Sequence, residues 1–88
     1  MKAILFYETA TMDMDKIMAV YPKHEAHANT YIEQGKILGI GPYANPMEGS
    51  MAIFTDKTSA ETFVRTDPFV LEGIVAKHTI KEWNESLL

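Results

Sequence analysis

Two short runs, Ile4-Leu5-Phe6-Tyr7 and Ile37-Leu38-Gly39-Ile40, place apolar side chains on both faces of whatever they form. An antiparallel sheet with one face in water alternates apolar and polar residues. These runs do not alternate, so their sheet needs cover on two sides. A chain of 88 residues makes one domain with a thin core and has only enough helix for one of them. The simplest source of the other cover is a second copy of the chain. The expectation is a homodimer whose sheets stack face to face.

Punctuation divides the chain. Met1–Glu8 reads as a strand, and Thr9–Asp15 as a polar turn followed by a short helical turn over Lys16–Val20. Pro22 suits the first turn of a helix, where its missing N–H costs nothing. That helix runs to about Gln34, with Gly35 as a left-handed C-cap. Lys36–Tyr43 is a second strand ending at Gly41-Pro42, and the turn cluster Asn45–Gly49 leads into a return strand over Ser50–Thr55. Asp56 or Thr58 caps a second helix, in which Ser59–Thr66 carries Ala60, Phe63 and Val64 on one side. Asp67-Pro68 interrupts it, Phe69–Val75 forms one more helical turn, and Lys77–Trp83 is the last strand. The order β-α-β-β-α-β is the ferredoxin-like split arrangement, an α+β fold with both helices on one face of a four-stranded antiparallel sheet and residues 1–88 as one domain.

Charge excludes several function classes. The net charge is −4 and no Lys/Arg cluster occurs, so neither a phosphate track for nucleic acid nor a membrane-surface patch is expected. With no cysteine, disulfides, thiolate catalysis and zinc–cysteine sites all drop out. The N-terminal apolar run is too short for a signal-peptide core or a membrane span, and the simplest location is the cytoplasm.

His24, read as lying near the start of the first long helix, and Asp67, opening Asp67-Pro68-Phe69, are the candidate catalytic pair. Histidine titrates near neutral pH, and a nearby carboxylate fixes its tautomer and raises its basicity. Asp67 also suits a cap on the turn before Pro68. His24-Glu25-Ala26-His27 is not a zincin motif, which needs its histidines four residues apart; no metal or cofactor is called for, and His27 is read as solvated. Tyr31, seven residues after His24, shares its helix face and belongs to the pocket wall or the core. His78 is read as structural or exposed, the methionines as gap fillers, and Trp83 as an anchor on the core or the dimer seam. Gly41-Pro42 shapes a pocket wall, because glycine permits close backbone approach.

Three segments, Val20-Tyr21-Pro22-Lys23-His24, Gln34-Gly35-Lys36-Ile37-Leu38-Gly39-Ile40-Gly41-Pro42 and Asp67-Pro68-Phe69-Val70-Leu71-Glu72-Gly73, together resemble the YCII-related family. The resemblance implies a small dimeric α+β barrel built from two ferredoxin-like halves, with His24 and Asp67 as the catalytic pair. It also implies chemistry near that of a dehydrochlorinase acting on a chlorinated hydroxyquinol and, more remotely, of muconolactone-type isomerases. Two functions then compete. One is a cofactor-free enzyme on a small oxygenated or chlorinated ring, a lyase or isomerase with His24 as general acid/base, Asp67 as its orienter, and Tyr7, Tyr31, Gly41, Pro42 and Phe69 around the ligand. The other is a non-catalytic ligand-binding or accessory homodimer.

Overall fold

Alternation of side-chain direction along the first strand sets the layout. The computed structural model describes all residues, Met1–Leu88, and β1, Lys2–Thr9, is its hub. Ala3, Leu5 and Tyr7 point into the core and are 0%, 1% and 6% exposed, while Ile4 and Phe6 on the other face are half-buried. β1 pairs antiparallel with β3, Ser50–Phe54, on one side and with β4, Val75–Trp83, on the other. β2, Ile37–Pro42, adds to β3, giving the order β2-β3-β1-β4. Three helices complete the chain: α1, Met14–Glu33, α2, Lys57–Thr66, and the short α3, Pro68–Leu71. This is the ferredoxin-like order, with the core between the sheet and the helices.

The helix ends follow from local chemistry. Asp56 is the N-cap of α2, its carboxylate accepting from the Ser59 backbone N–H at 2.7 Å. That backbone hydrogen bond, with a smaller contribution from the Ser59 side chain, holds the Asp56 carboxyl below its usual range. Its contribution to stability is therefore present above that range and lost as the pH falls through it. At the other end of α1, Gly35 takes φ +73°. The Gly35 and Lys36 N–H groups donate back to the Ile32 and Tyr31 carbonyls, which satisfies the frayed end.

One boundary departs from expectation. Pro22 does not open a helix; it stands inside one that begins eight residues earlier. Asp13 is the true N-cap, its carboxylate accepting from the Lys16 backbone N–H. Proline in a helix interior costs about 3 kcal/mol, chiefly through the lost i→i−4 bond and the ring's clash with that carbonyl. Here the orphaned carbonyl belongs to Met18, on the exposed side, where water substitutes. The buried stripe through Val20 and Ala28 continues across the proline and holds both halves in register.

β2 carries a register shift between Ile37 and Gly39. It puts Ile37 and Ile40 on the helix side, opposite Phe54 and Ala52, although they are three residues apart. Leu38, in the bulge, is 47% exposed. The sheet thus keeps an uncovered apolar face formed by Ile4, Phe6, Leu38, Met51 and Ile53.

The turn before β3 is tighter than its polar sequence suggests. Asn45 caps a 3₁₀ turn over Pro46–Glu48, and Gly49 follows at φ +121°. A Cβ on Gly49 would lie 1.8 Å from the Tyr7 carbonyl oxygen. Gly49→Ala therefore meets both a forbidden backbone conformation and a backbone clash. The expected loss is about 2–4 kcal/mol in urea unfolding, the range of substitutions that force a main-chain shift.

Candidate active site

Asp67 is the fixed point of the site. It closes α2 and caps α3, at φ −67° and ψ 120°, an extended conformation imposed in part by the following Pro68. Its side chain is fully buried and accepts three hydrogen bonds. The Tyr7 hydroxyl donates to Oδ2 at 2.7 Å, the Phe69 backbone N–H donates to Oδ1 at 3.0 Å, and His24 Nδ1 lies 2.8 Å from Oδ1. A buried carboxylate is tolerated when its lone pairs are filled in this way.

An ionised carboxylate accepts only, so His24 Nδ1 carries the proton in this pair and Nε2 holds the free lone pair. Nε2 makes no hydrogen bond within the chain, and no buried side-chain nitrogen or oxygen is without a partner. The free nitrogen is therefore accessible. His24 lies in the middle of α1 rather than near a helix start, with its side chain 14% exposed. Its ring stacks on Phe69, centroids 4.0 Å apart and planes 8° apart. The segment Asp67-Pro68-Phe69 thus fixes the imidazole twice: the aspartate sets its tautomer and rotation, and the phenyl ring sets its plane.

A cavity of about 710 Å³ opens beside the pair, between α1 and the sheet. Tyr7, His24 and Phe69 line it together with Gly41 and Pro42 at the end of β2. Tyr31 does not line it. Its hydroxyl donates to Thr62 Oγ1 at 3.1 Å, and its ring packs edge-on against Phe63 and Phe54 in the core. Seven residues fall just short of two full turns, which leaves Tyr31 on the side of α1 turned toward α2 with His27, whereas Ile32, one residue further along, still lines the cavity.

His27 is not solvated as expected. Its Nε2–H donates to the Phe63 carbonyl at 3.0 Å, with Thr66 Oγ1 at 3.3 Å, and its ring stacks on Phe63. It bolts α1 to the last turn of α2. His78, on the edge strand, is exposed. No group of three or more His, Asp or Glu is placed to hold a metal ion.

Sequence reasoning missed Ile17 and Tyr21, which line the cavity on the same stripe of α1 as His24 and Ala28. The spacing i, i+4, i+7, i+11 is a helical face. It goes unseen when the helix is broken at Pro22. Met12 and Met14, expected as gap fillers, also line the cavity.

Tyr7 is the other residue whose role exceeds its expectation as pocket wall. Burial, then the Asp67 charge, then the hydrogen bond to Asp67 raise its hydroxyl well above the ordinary tyrosine value. A raised folded value means stability that is complete below the unfolded tyrosine value of about 10 and is lost as the pH climbs above it. Tyr7→Phe is expected to cost about 1–3 kcal/mol at neutral pH, since it removes one donor from a buried carboxylate. It should also flatten the fall in stability between about pH 10 and pH 11.5. Urea titrations across that range check both parts.

The YCII-related domain matches residues 1–84. No curated protein sequence matches significantly. Among solved structures, the chain is similar to 5-chloro-2-hydroxyhydroquinone dehydrochlorinase (TftG) from Burkholderia phenoliruptrix AC1100, in complex with 2,5-dihydroxybenzoquinone. The TM-score is 0.78 and the identity 21%, over 98% of this chain and 96% of the other. At that identity the likeness is one of fold. No helix here is long and apolar enough to cross a membrane.

Proposed function

The chain belongs to the YCII-related family, and on that footing we propose that it is a cofactor-free enzyme, a lyase or isomerase that moves a proton on a small oxygenated or chlorinated ring compound. The observation that carries this reading is the 2.8 Å contact between His24 Nδ1 and Asp67 Oδ1 on a cavity wall, with Nε2 free. His24 Nε2 takes a proton from a ring carbon beside a carbonyl, or from a ring hydroxyl. Asp67 holds the resulting imidazolium in place and balances its charge. Returning the proton to another ring atom completes an isomerisation. If chloride leaves the adjacent carbon instead, the net result is loss of HCl. Similarity to a dehydrochlorinase of the same fold supports the second course; fold alone does not choose between them.

The test is an NMR titration of the His24 ring, with and without hydroxyquinol and its chlorinated analogues. A general base titrates near neutral pH and its resonances move when a ring compound binds. A ring that ignores every such compound would favour the non-catalytic accessory role.

The working unit in this proposal is a cytoplasmic homodimer. The uncovered sheet face supports it: Ile4, Phe6, Met51 and Ile53 are only half-buried within one chain, and Leu38 and Trp83 are 47% and 38% exposed. Lys81 Nζ sits 5.8 Å from the centre of the Phe6 ring, giving that face a polar rim. A stable interface here would bury more than about 1,000 Å² in total. Light scattering at micromolar concentration should give twice the 9.9 kDa chain mass; the mass of a single folded chain would refute the dimer.

A further inference from the structure

We propose that the cavity selects an uncharged ring compound and rejects carboxylates, a statement of ligand class that rests on reading the cavity as the substrate site. Its lining contains no lysine or arginine, and apart from His24 its charged members are Glu8 and Glu25. Glu25 has no cationic partner. The Glu8 side chain alternates onto the opposite sheet face with Ile4 and Phe6, where Lys77 Nζ lies 4.0 Å from it, so its carboxylate does not face the cavity. A second carboxylate, Asp67, stands directly behind the imidazole.

Three of the cavity's side-chain donors are already engaged. The Tyr7 hydroxyl and His24 Nδ1 serve Asp67, and Thr9 Oγ1 donates to the Pro46 carbonyl. Lys16, one residue before the lining residue Ile17, has its Nζ beside Gly73 after α3, outside the lining. A carboxylate entering this space would shed water with no lysine or arginine to replace it and would face the carboxylates of Glu25 and Asp67. An uncharged ring meets neither penalty. It finds Phe69, Tyr21 and the methionines Met12 and Met14 as contact surface, and any negative charge it gains when deprotonated is matched by the imidazolium formed at His24.

A matched pair of probes tests this on the full chain. At pH 7, 2,5-dihydroxybenzamide is neutral, while 2,5-dihydroxybenzoate has nearly the same size and carries one negative charge. Affinities are read from the His24 ring resonances and, independently, by calorimetry. The amide is expected to bind at least about tenfold tighter, a modest fraction of what an unpaired, desolvated charge costs. Glu25→Gln should narrow that gap by improving benzoate binding. Equal or tighter binding of the benzoate overturns the proposal while leaving the cavity a ligand site. Binding of neither probe up to solubility overturns this proposal and the substrate-site reading together. A preference for the amide, combined with turnover that survives loss of His24, would sink the catalytic reading alone.

Discussion

Replacing His24 by Ala should lower kcat on an accepted ring substrate by about 10²–10⁴-fold, the contribution of a positioned general base. KM should change far less, because Nε2 acts on the proton in flight rather than on the resting ligand. The imidazole also donates to a fully buried carboxylate and stacks on Phe69, so the variant loses stability as well. Circular dichroism at the assay temperature must show it folded before the rates are compared. Folded protein with turnover near that of the parent chain would remove His24 from the chemistry. It would leave the imidazole as a structural donor to Asp67.

Replacing Asp67 by Ala should be the most destabilising change at the site, at about 3 kcal/mol or more. Three costs combine: a buried Tyr7 hydroxyl loses its acceptor, the His24 N–H loses its own, and α3 loses its cap. An orphaned buried polar group costs about 1–3 kcal/mol and a lost N-cap about 1 kcal/mol. In a domain of this size each kcal/mol lowers Tm by roughly 4–8 °C, so a drop of about 12 °C or more is expected by calorimetry. Asp67→Asn separates charge from shape. Its amide oxygen still accepts from Phe69 and His24, and its NH₂ can donate to the Tyr7 oxygen, so the stability loss should be about 1 kcal/mol. Turnover should fall further than stability does, because the imidazolium formed at His24 loses its counter-charge. Equal effects of Ala and Asn on both readouts would mean the carboxylate charge has no part in the reaction.

Much of the frame was legible from local signals. Gly35 ends α1 and Asp56 opens α2 because the left-handed cap and the carboxylate cap are interactions within four residues. The six main elements and their order followed from apolar runs and turn residues in the same way, and the two-sided apolar pattern foretold a sheet face that the chain's own helices leave bare. Pro22 was misread for the opposite reason. Proline reports a local cost, whereas the continuity of α1 is maintained by burial of Val20 and Ala28 on either side of it in the tertiary structure.

The pair His24 and Asp67 could be nominated by residue type, but nothing within reach along the chain joins positions 43 residues apart. Their contact exists because α1 and the α2–α3 junction lie side by side on one sheet face. The link from Tyr7 to Asp67, across 60 residues, had no sequence signal, since an inward tyrosine on a core strand reads simply as an apolar side chain. Tyr31 leaves the cavity wall because seven residues fall short of two full helical turns, and the shortfall rotates its ring toward α2. The sequence determined which residues can carry proton-transfer chemistry and where each element starts and stops. Only the tertiary structure decided which of them meet, because the burial that drives a histidine, a tyrosine and a carboxylate together acts between elements remote in the chain.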